Sequence, residues 1–143
     1  MAPSPEPERG FTRFPWWRRW FGRRSERAAA RFLRGLGYRI VAANVADTEG
    51  ELDLIAVDGR TLVIVEVRST ASDDLDRTSA SVDDRKQRKV TGAALRFLKK
   101  KRLLGVNVRY DIVVLSWPAT AREPVVRHIP HAFEPGDRFQ FFS

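Results

Sequence analysis

The sequence predicts a single α/β domain of 143 residues, and three features of the chain predict it. Two segments carry apolar residues at helical spacing, several others are short β-branched runs, and an Asp-Gly pair stands between two of those runs as a hairpin signal. At 43% hydrophobic residues the composition is that of an ordinary globular domain, and a chain of this length can bury a real core. Lysine and arginine number 26 against 18 acids, a formal net charge of +8. That imbalance points to a polyanionic partner, of which nucleic acid is the commonest. With no cysteine and only two histidines, His128 and His131, the chain offers neither a disulfide framework nor a thiolate or His-rich zinc cage. No run approaches the roughly 18 apolar residues of a membrane span, and no apolar signal segment opens the chain, so a cytoplasmic address is expected.

Residues 1–22 stand apart from the domain expected over residues 23–132. Three prolines fall among the first seven residues, and the Phe-, Trp- and Arg-rich stretch after them follows no helical or strand period. This reads as a basic, aromatic N-terminal arm. From Arg9 to Arg39 there are ten arginines and one acid, Glu26. Arg18, Arg19, Arg23 and Arg24 are its candidate nucleic-acid contacts, held to a phosphate backbone at low salt. Docking of the aromatics on the domain itself, or on an anionic membrane surface, fits the same composition. Residues 133–143 read as a C-terminal tail.

Ser25 is the expected N-cap of a first helix whose inward stripe is Ala29, Ala30, Leu33 and Leu36, with Gly37 as the stop. Glu26 falls on that stripe. It either points inward or, as a first-turn acid, complements the helix dipole while reaching water. Residues 38–45, 51–57 and 61–68 read as strands, the last two joined at Asp58-Gly59. A polar, mobile loop is expected over residues 69–81. Asp83 or Asp84 then caps a second helix, with Val90, Ala93, Ala94, Phe97 and Leu98 as its apolar stripe. Its other face is basic: nine lysines and arginines and no acid lie between Arg85 and Arg102, with Arg85 and Lys89 as further candidate nucleic-acid contacts. Residues 106–117 are the longest strand candidate, and residues 125–129 an edge strand between two prolines.

Alternation along residues 51–57 places Glu51, Asp53, Ile55 and Val57 on one face and Leu52, Leu54 and Ala56 on the other. Across the hairpin, Leu62, Ile64, Glu66 and Arg68 share a face. With a two-residue loop at Asp58-Gly59, Asp53 lies diagonal to Glu66; with a four-residue loop, directly opposite it. Two carboxylates about 5 Å apart repel by roughly 3 kcal/mol at an effective dielectric near 20. An apolar strand pair keeps them only with compensation: a shared proton, a salt bridge from Arg68 or Lys86, or a divalent cation. An all-oxygen ligand set suits Mg²⁺ or Mn²⁺. A buried ion cluster of Asp53, Glu66 and Arg68 is the structural alternative, although such clusters seldom improve on apolar packing.

Gly50-Glu51-Leu52-Asp53-Leu54-Ile55 followed by Leu62-Val63-Ile64-Val65-Glu66-Val67-Arg68 resembles the paired signature of the YraN-like proteins. That bacterial family is placed among the restriction-endonuclease-like PD-(D/E)xK nucleases, beside the Holliday-junction resolvases. The likeness covers about residues 25–130 and implies a central mixed β-sheet flanked by helices, with an αβββαβ core. It further implies a metal-dependent DNA endonuclease that hydrolyses phosphodiester bonds in branched or damaged DNA. Asp53 and Glu66 would hold the metal, Glu26 would be an additional metal-linked carboxylate, Lys86 a supporting cation, and Asp111 a structural aspartate. Junction-cleaving relatives act as dimers, but nothing in this sequence marks a dimer face.

One position departs from the superfamily pattern. The lysine two residues after the second acid is Arg68 here. An arginine stays protonated and cannot serve as a base, though it can steady charge on a phosphate. A catalytically inactive nucleic-acid-binding module, or a membrane-surface adaptor, that keeps the fold is therefore the alternative.

Overall fold

The computed structural model describes residues 24–70, 84–117 and 122–134. The N-terminal arm with Arg18, Arg19 and Arg23, most of the expected polar loop, and most of the C-terminal tail lie outside them. Two helices, α1 (Arg24–Gly35) and α2 (Asp84–Lys100), and five strands, β1 (Arg39–Asp47), β2 (Gly50–Asp58), β3 (Thr61–Thr70), β4 (Asn107–Ser116) and β5 (Val125–Ile129), make up the fold. The strands form one sheet in the order β1-β2-β3-β4-β5. The β1–β2, β2–β3 and β4–β5 pairs are antiparallel, whereas β3 and β4 are parallel. A parallel pair needs a crossover, and α2 supplies it.

Each face of the sheet packs one helix. Ala29, Ala30 and Leu33 of α1 pack with Leu54, Ala56, Val63, Val65, Val113 and Leu115. Val90, Ala93, Ala94, Phe97 and Leu98 of α2 pack with Ile55, Val57, Leu62 and Ile64. Neighbouring residues of β2 and β3 thus serve opposite faces, which explains why both strands are apolar throughout. Leu36, expected on the inward stripe, is instead 51% exposed. The helix has already ended there: Tyr38 N–H donates to the Leu33 carbonyl and Gly37 N–H to that of Arg34, with Gly37 at φ 94°. This is the left-handed stop that glycine at that position permits.

Three local features differ from expectation. Ser25 does not stand outside the helix as its cap; it lies in the first turn, and its hydroxyl accepts from the Trp117 indole N–H at 2.9 Å. The β2–β3 turn sits one residue later than Asp58-Gly59, because Asp58 pairs with Thr61 and leaves Gly59 and Arg60 as the loop. Asp58 is held in the ladder from β4, where Arg109 Nη1 donates to its carboxylate at 3.0 Å. Finally, alternation fails between Leu52 and Leu54. Ala43 and Leu54 pair and pack on the α1 side, while Val45 and Leu52 pair and pack on the α2 side. Between them Asn44 adopts φ 51°, a left-handed conformation that asparagine tolerates better than most residues. The β1–β2 ribbon turns over at this level, and Asp53 sits at the point where it does.

Candidate functional site

The register of the hairpin decides the geometry. Leu54 pairs with Val65 and Ile55 with Ile64. Continuing that register by one residue sets Asp53 across from Glu66. The regular ladder stops at Leu54, and the next β3 amide toward the end of the ribbon, Val67 N–H, donates to Asp53 Oδ2 at 2.9 Å. The Asp53 carboxylate thus reaches across to the backbone of β3.

Groups from both helices converge there. Glu26 is 3% exposed, so its inward orientation holds, and Asn44 Nδ2 donates to its Oε2 at 3.4 Å. From α2, Lys86 Nζ lies 3.0 Å from Glu66 Oε1, while Arg68 Nη2 stands 3.6 Å from Glu66 Oε2. Lys86 is therefore brought to Glu66, with its side chain still 49% exposed. Arg85 and Lys89 are exposed on the same helix. Arg24 is also exposed and lies with its guanidinium 3.6 Å from the Trp117 ring centroid.

The two acids are compensated differently. Glu66, 8% exposed, has both cations beside it. Asp53 has one backbone donor, and its pKa is pushed up to about 6: burial is the main cause, the Val67 N–H opposes it, the charges of Glu66 and Glu26 add to it, and Lys86 opposes it. Above about pH 6 this carboxylate is mostly ionised, against the cost of burial, and a bound cation would relieve that cost.

Oxygen is the only donor type here, which fits a hard divalent ion. Glu66 Oε2 is buried and makes no hydrogen bond, and a hollow of ≈ 10 Å³ opens between Asp53, Glu66, Glu51 and Val90. That is about the room one water or one small ion needs. Among the described residues, Glu26, Asp53 and Glu66 do not close into a ready cage of three metal-ligating side chains. The pair of Asp53 and Glu66, with its unsatisfied oxygen, suits an ion that keeps most of its own water, as Mg²⁺ does. Sequence reasoning passed over two members of this site. Glu51 lines the hollow, and its signal was its i, i+2 spacing from Asp53. Asn44 contacts Glu26, and its signal was an asparagine within a β-branched run.

A second carboxylate lies on the α1 side of β4. The Asp111 side chain is fully buried, and it accepts from Arg109 Nε at 2.9 Å, Arg109 Nη2 at 3.1 Å and His131 N–H at 3.0 Å, with His128 Nε2 at 2.7 Å. Arg109 also donates to Asp58 and to the Tyr38 hydroxyl. Burial would raise the Asp111 pKa, but His128, Arg109 and the His131 amide together hold it below the usual carboxylate range. Asp111 ties β4 to β5 and its neighbourhood, and Arg109, which Asp111 holds, ties β4 to the end of β2.

A mixed sheet with one helix on each face, and two acids across the end of its second and third strands, is the core of the restriction-endonuclease-like class. Within that class the chain belongs to the family described as "Uncharacterised protein family UPF0102", which matches residues 25–115. It is 42% identical over 115 residues to a UPF0102 protein of Rhodopirellula baltica, across 78% of this chain and 69% of that one. It is 38% identical over 117 residues to one of Desulfosudis oleivorans, across 82% and 92%, and 40% identical over 113 residues to one of Persephonella marina, across 79% and 92%.

Proposed function

We propose that this protein is a DNA endonuclease that hydrolyses phosphodiester bonds with Mg²⁺ or Mn²⁺, acting in the cytoplasm on branched or damaged DNA. One observation carries the reading: Asp53, with its pKa raised to about 6, faces Glu66, whose Oε2 is buried and makes no hydrogen bond. Such a pair gains most from a cation, because the ion removes the repulsion that burial intensifies. Asp53 and Glu66 would hold the metal, with Glu26 behind them. When bound, the metal would lower the pKa of a water and stabilise charge on the leaving oxygen. The Val67 amide orients Asp53. Lys86 and Arg68 are then placed to neutralise a phosphate brought against Glu66. Arg85 and Lys89 extend the cationic surface along α2. Among the described residues no helix is long and apolar enough to cross a membrane.

A second reading has its own observation. Lys86 and Arg68 already neutralise Glu66 without any ion, and Arg68 stands where the superfamily has its lysine. A binding module without chemistry would look the same. Incubating the protein with branched, nicked and single-stranded DNA, with and without Mn²⁺, separates the two. Metal-dependent cleavage that Asp53→Asn abolishes supports the endonuclease; binding without cleavage of any substrate supports the module.

A further inference from the structure

One cavity of the described region shares no lining residue with the hollow between Asp53 and Glu66. It has a volume of ≈ 310 Å³ and opens between the end of β1 and the C-terminal half of α2. That is at the small end of ligand pockets, which run from roughly 300 to 1,000 Å³. Val45, Ala93 and Phe97 give it an apolar wall, and Arg96, Lys100 and Lys101 give it cations. Asp47 is its one carboxylate, and both oxygens are engaged: Oδ1 accepts from Glu49 and Gly50 N–H and from Arg96 Nη2, and Oδ2 accepts from Arg96 Nε. Arg96 is thus paired with Asp47 and, through Nη1, with Glu49 at 3.5 Å, so the excess positive charge beside the apolar surface is that of Lys100 and Lys101. Its ligand should be an amphipathic anion with a flat apolar part and a phosphate.

Two placements make that anion a nucleotide of a bound strand. Asn44 lines the cavity and also donates to Glu26, so one residue of β1 links the pocket to the α1 end of the carboxylate site. Lys86, Ala93 and Lys100 follow one another at seven-residue intervals, on one stripe of α2. At 1.5 Å per residue the pocket therefore begins about 10 Å and ends about 21 Å along the helix from Lys86. In duplex geometry that is the rise of roughly three to six nucleotides.

We infer that this cavity receives a single unpaired nucleotide of the strand lying along α2, its base against Val45, Ala93 and Phe97 and its phosphate at Lys100 and Lys101. The inference rests on the DNA-binding half of the proposed function but not on cleavage. It assigns the substrate class: DNA with an extrahelical or otherwise unpaired nucleotide, which costs less to seat in a pocket than a base drawn from an intact stack.

The test uses the full chain carrying Asp53→Asn, so that cleavage does not enter. Titration with deoxyadenosine 5′-monophosphate should shift the amides of Val45, Ala46 and Phe97 saturably, and deoxyadenosine without the phosphate should bind about tenfold more weakly. Lys100→Glu, at an exposed position, should reproduce that tenfold loss, and Val45→Trp should fill the cavity and abolish the shifts. A duplex with one bulged nucleotide should bind about tenfold tighter than its matched duplex, an excess that Val45→Trp removes. Shifts confined to the Arg85–Lys89 turn, equal affinity for bulged and matched duplex, or a bulge preference that survives Val45→Trp would each overturn the inference. Absence of cleavage by the unmutated protein with Mn²⁺ would sink the endonuclease reading and leave these measurements intact. If both hold, cuts fall about three to six nucleotides from the bulge.

Discussion

Asp53 and Asp111 flank the same central strand, one on β2 and one on β4, and the fold treats them in opposite ways. Asp111 is surrounded by donors from Arg109, His128 and the His131 backbone, and its pKa falls. Asp53 has the Val67 amide and the charge of Lys86 against burial and two acids, and its pKa rises to about 6. Burial is the first cause acting on both. What separates them is the supply of donors: Asp111, through Arg109 and His128, helps fasten β2, β4 and β5 together, while Asp53 is held in a state that a cation or a proton would improve. Burial alone therefore does not separate the two acids; the supply of donors does.

The contrast is broken most forcefully at the fastener. Asp111→Ala strands Arg109 and His128 and should cost about 3–5 kcal/mol, read as a fall in Tm. A neutral result would mean the network contributes no stability. At the other site the sign reverses. A carboxylate whose native pKa is raised contributes stability that is complete below its unfolded value near 3.8 and is lost as the pH rises through about 6. Asp53→Asn should therefore stabilise the metal-free protein at pH 7, by up to about 3 kcal/mol, and flatten its stability profile between pH 4 and 6. It should also remove any Mn²⁺ binding seen by calorimetry. Destabilisation by Asp53→Asn, with no metal binding in the parent, would put Asp53 in the same class as Asp111. Below pH 4 the depressed Asp111 takes over, and the acid limb of the profile should be missing from Asp111→Asn.

Arg68→Lys sharpens the comparison with a smaller effect. If the pair is a weakened nuclease site, lysine should raise metal-dependent cleavage about tenfold or more. If Arg68 only clamps Glu66, the change should cost less than about 1 kcal/mol and add no activity. The mildest change is removal of residues 1–22. On duplex DNA each lost phosphate contact lowers the slope of log affinity against log salt by roughly 0.9, so losing Arg9, Arg13, Arg18 and Arg19 should flatten it by up to about 4. An unchanged slope with lost binding to anionic vesicles would assign the arm to a membrane surface.

Local periodicity carried most of the fold. The stripes of α1 and α2 and the two apolar faces of β2 and β3 were legible because spacing alone sorts side chains between faces. The pairing of Asp53 with Glu66 was legible as one of two registers. Choosing between them depended on Arg109, 51 residues beyond Asp58, which holds the turn closed from another strand. The turnover at Asn44 was hidden for a related reason: strict alternation presumes an uninterrupted strand, and a single left-handed residue reverses every assignment after it. Lys86 illustrates the same limit. Its spacing on the helix was plain, but its 3.0 Å approach to Glu66 depends on how α2 lies over the sheet.

Trp117 links the end of the sheet to the start of α1, bonding Ser25 through its indole and carrying Arg24 on its ring. The covalent chain therefore enters the domain about 3 Å of helix rise from Glu26. If the preceding arginines engage a polyanion, it would meet the carboxylates as a tethered reactant. Its encounter with the site is then governed by effective concentration, which for a short tether is of millimolar order. The arm and the site can accordingly share one substrate without sharing a contact, and weak affinity at the carboxylates would not prevent their occupancy.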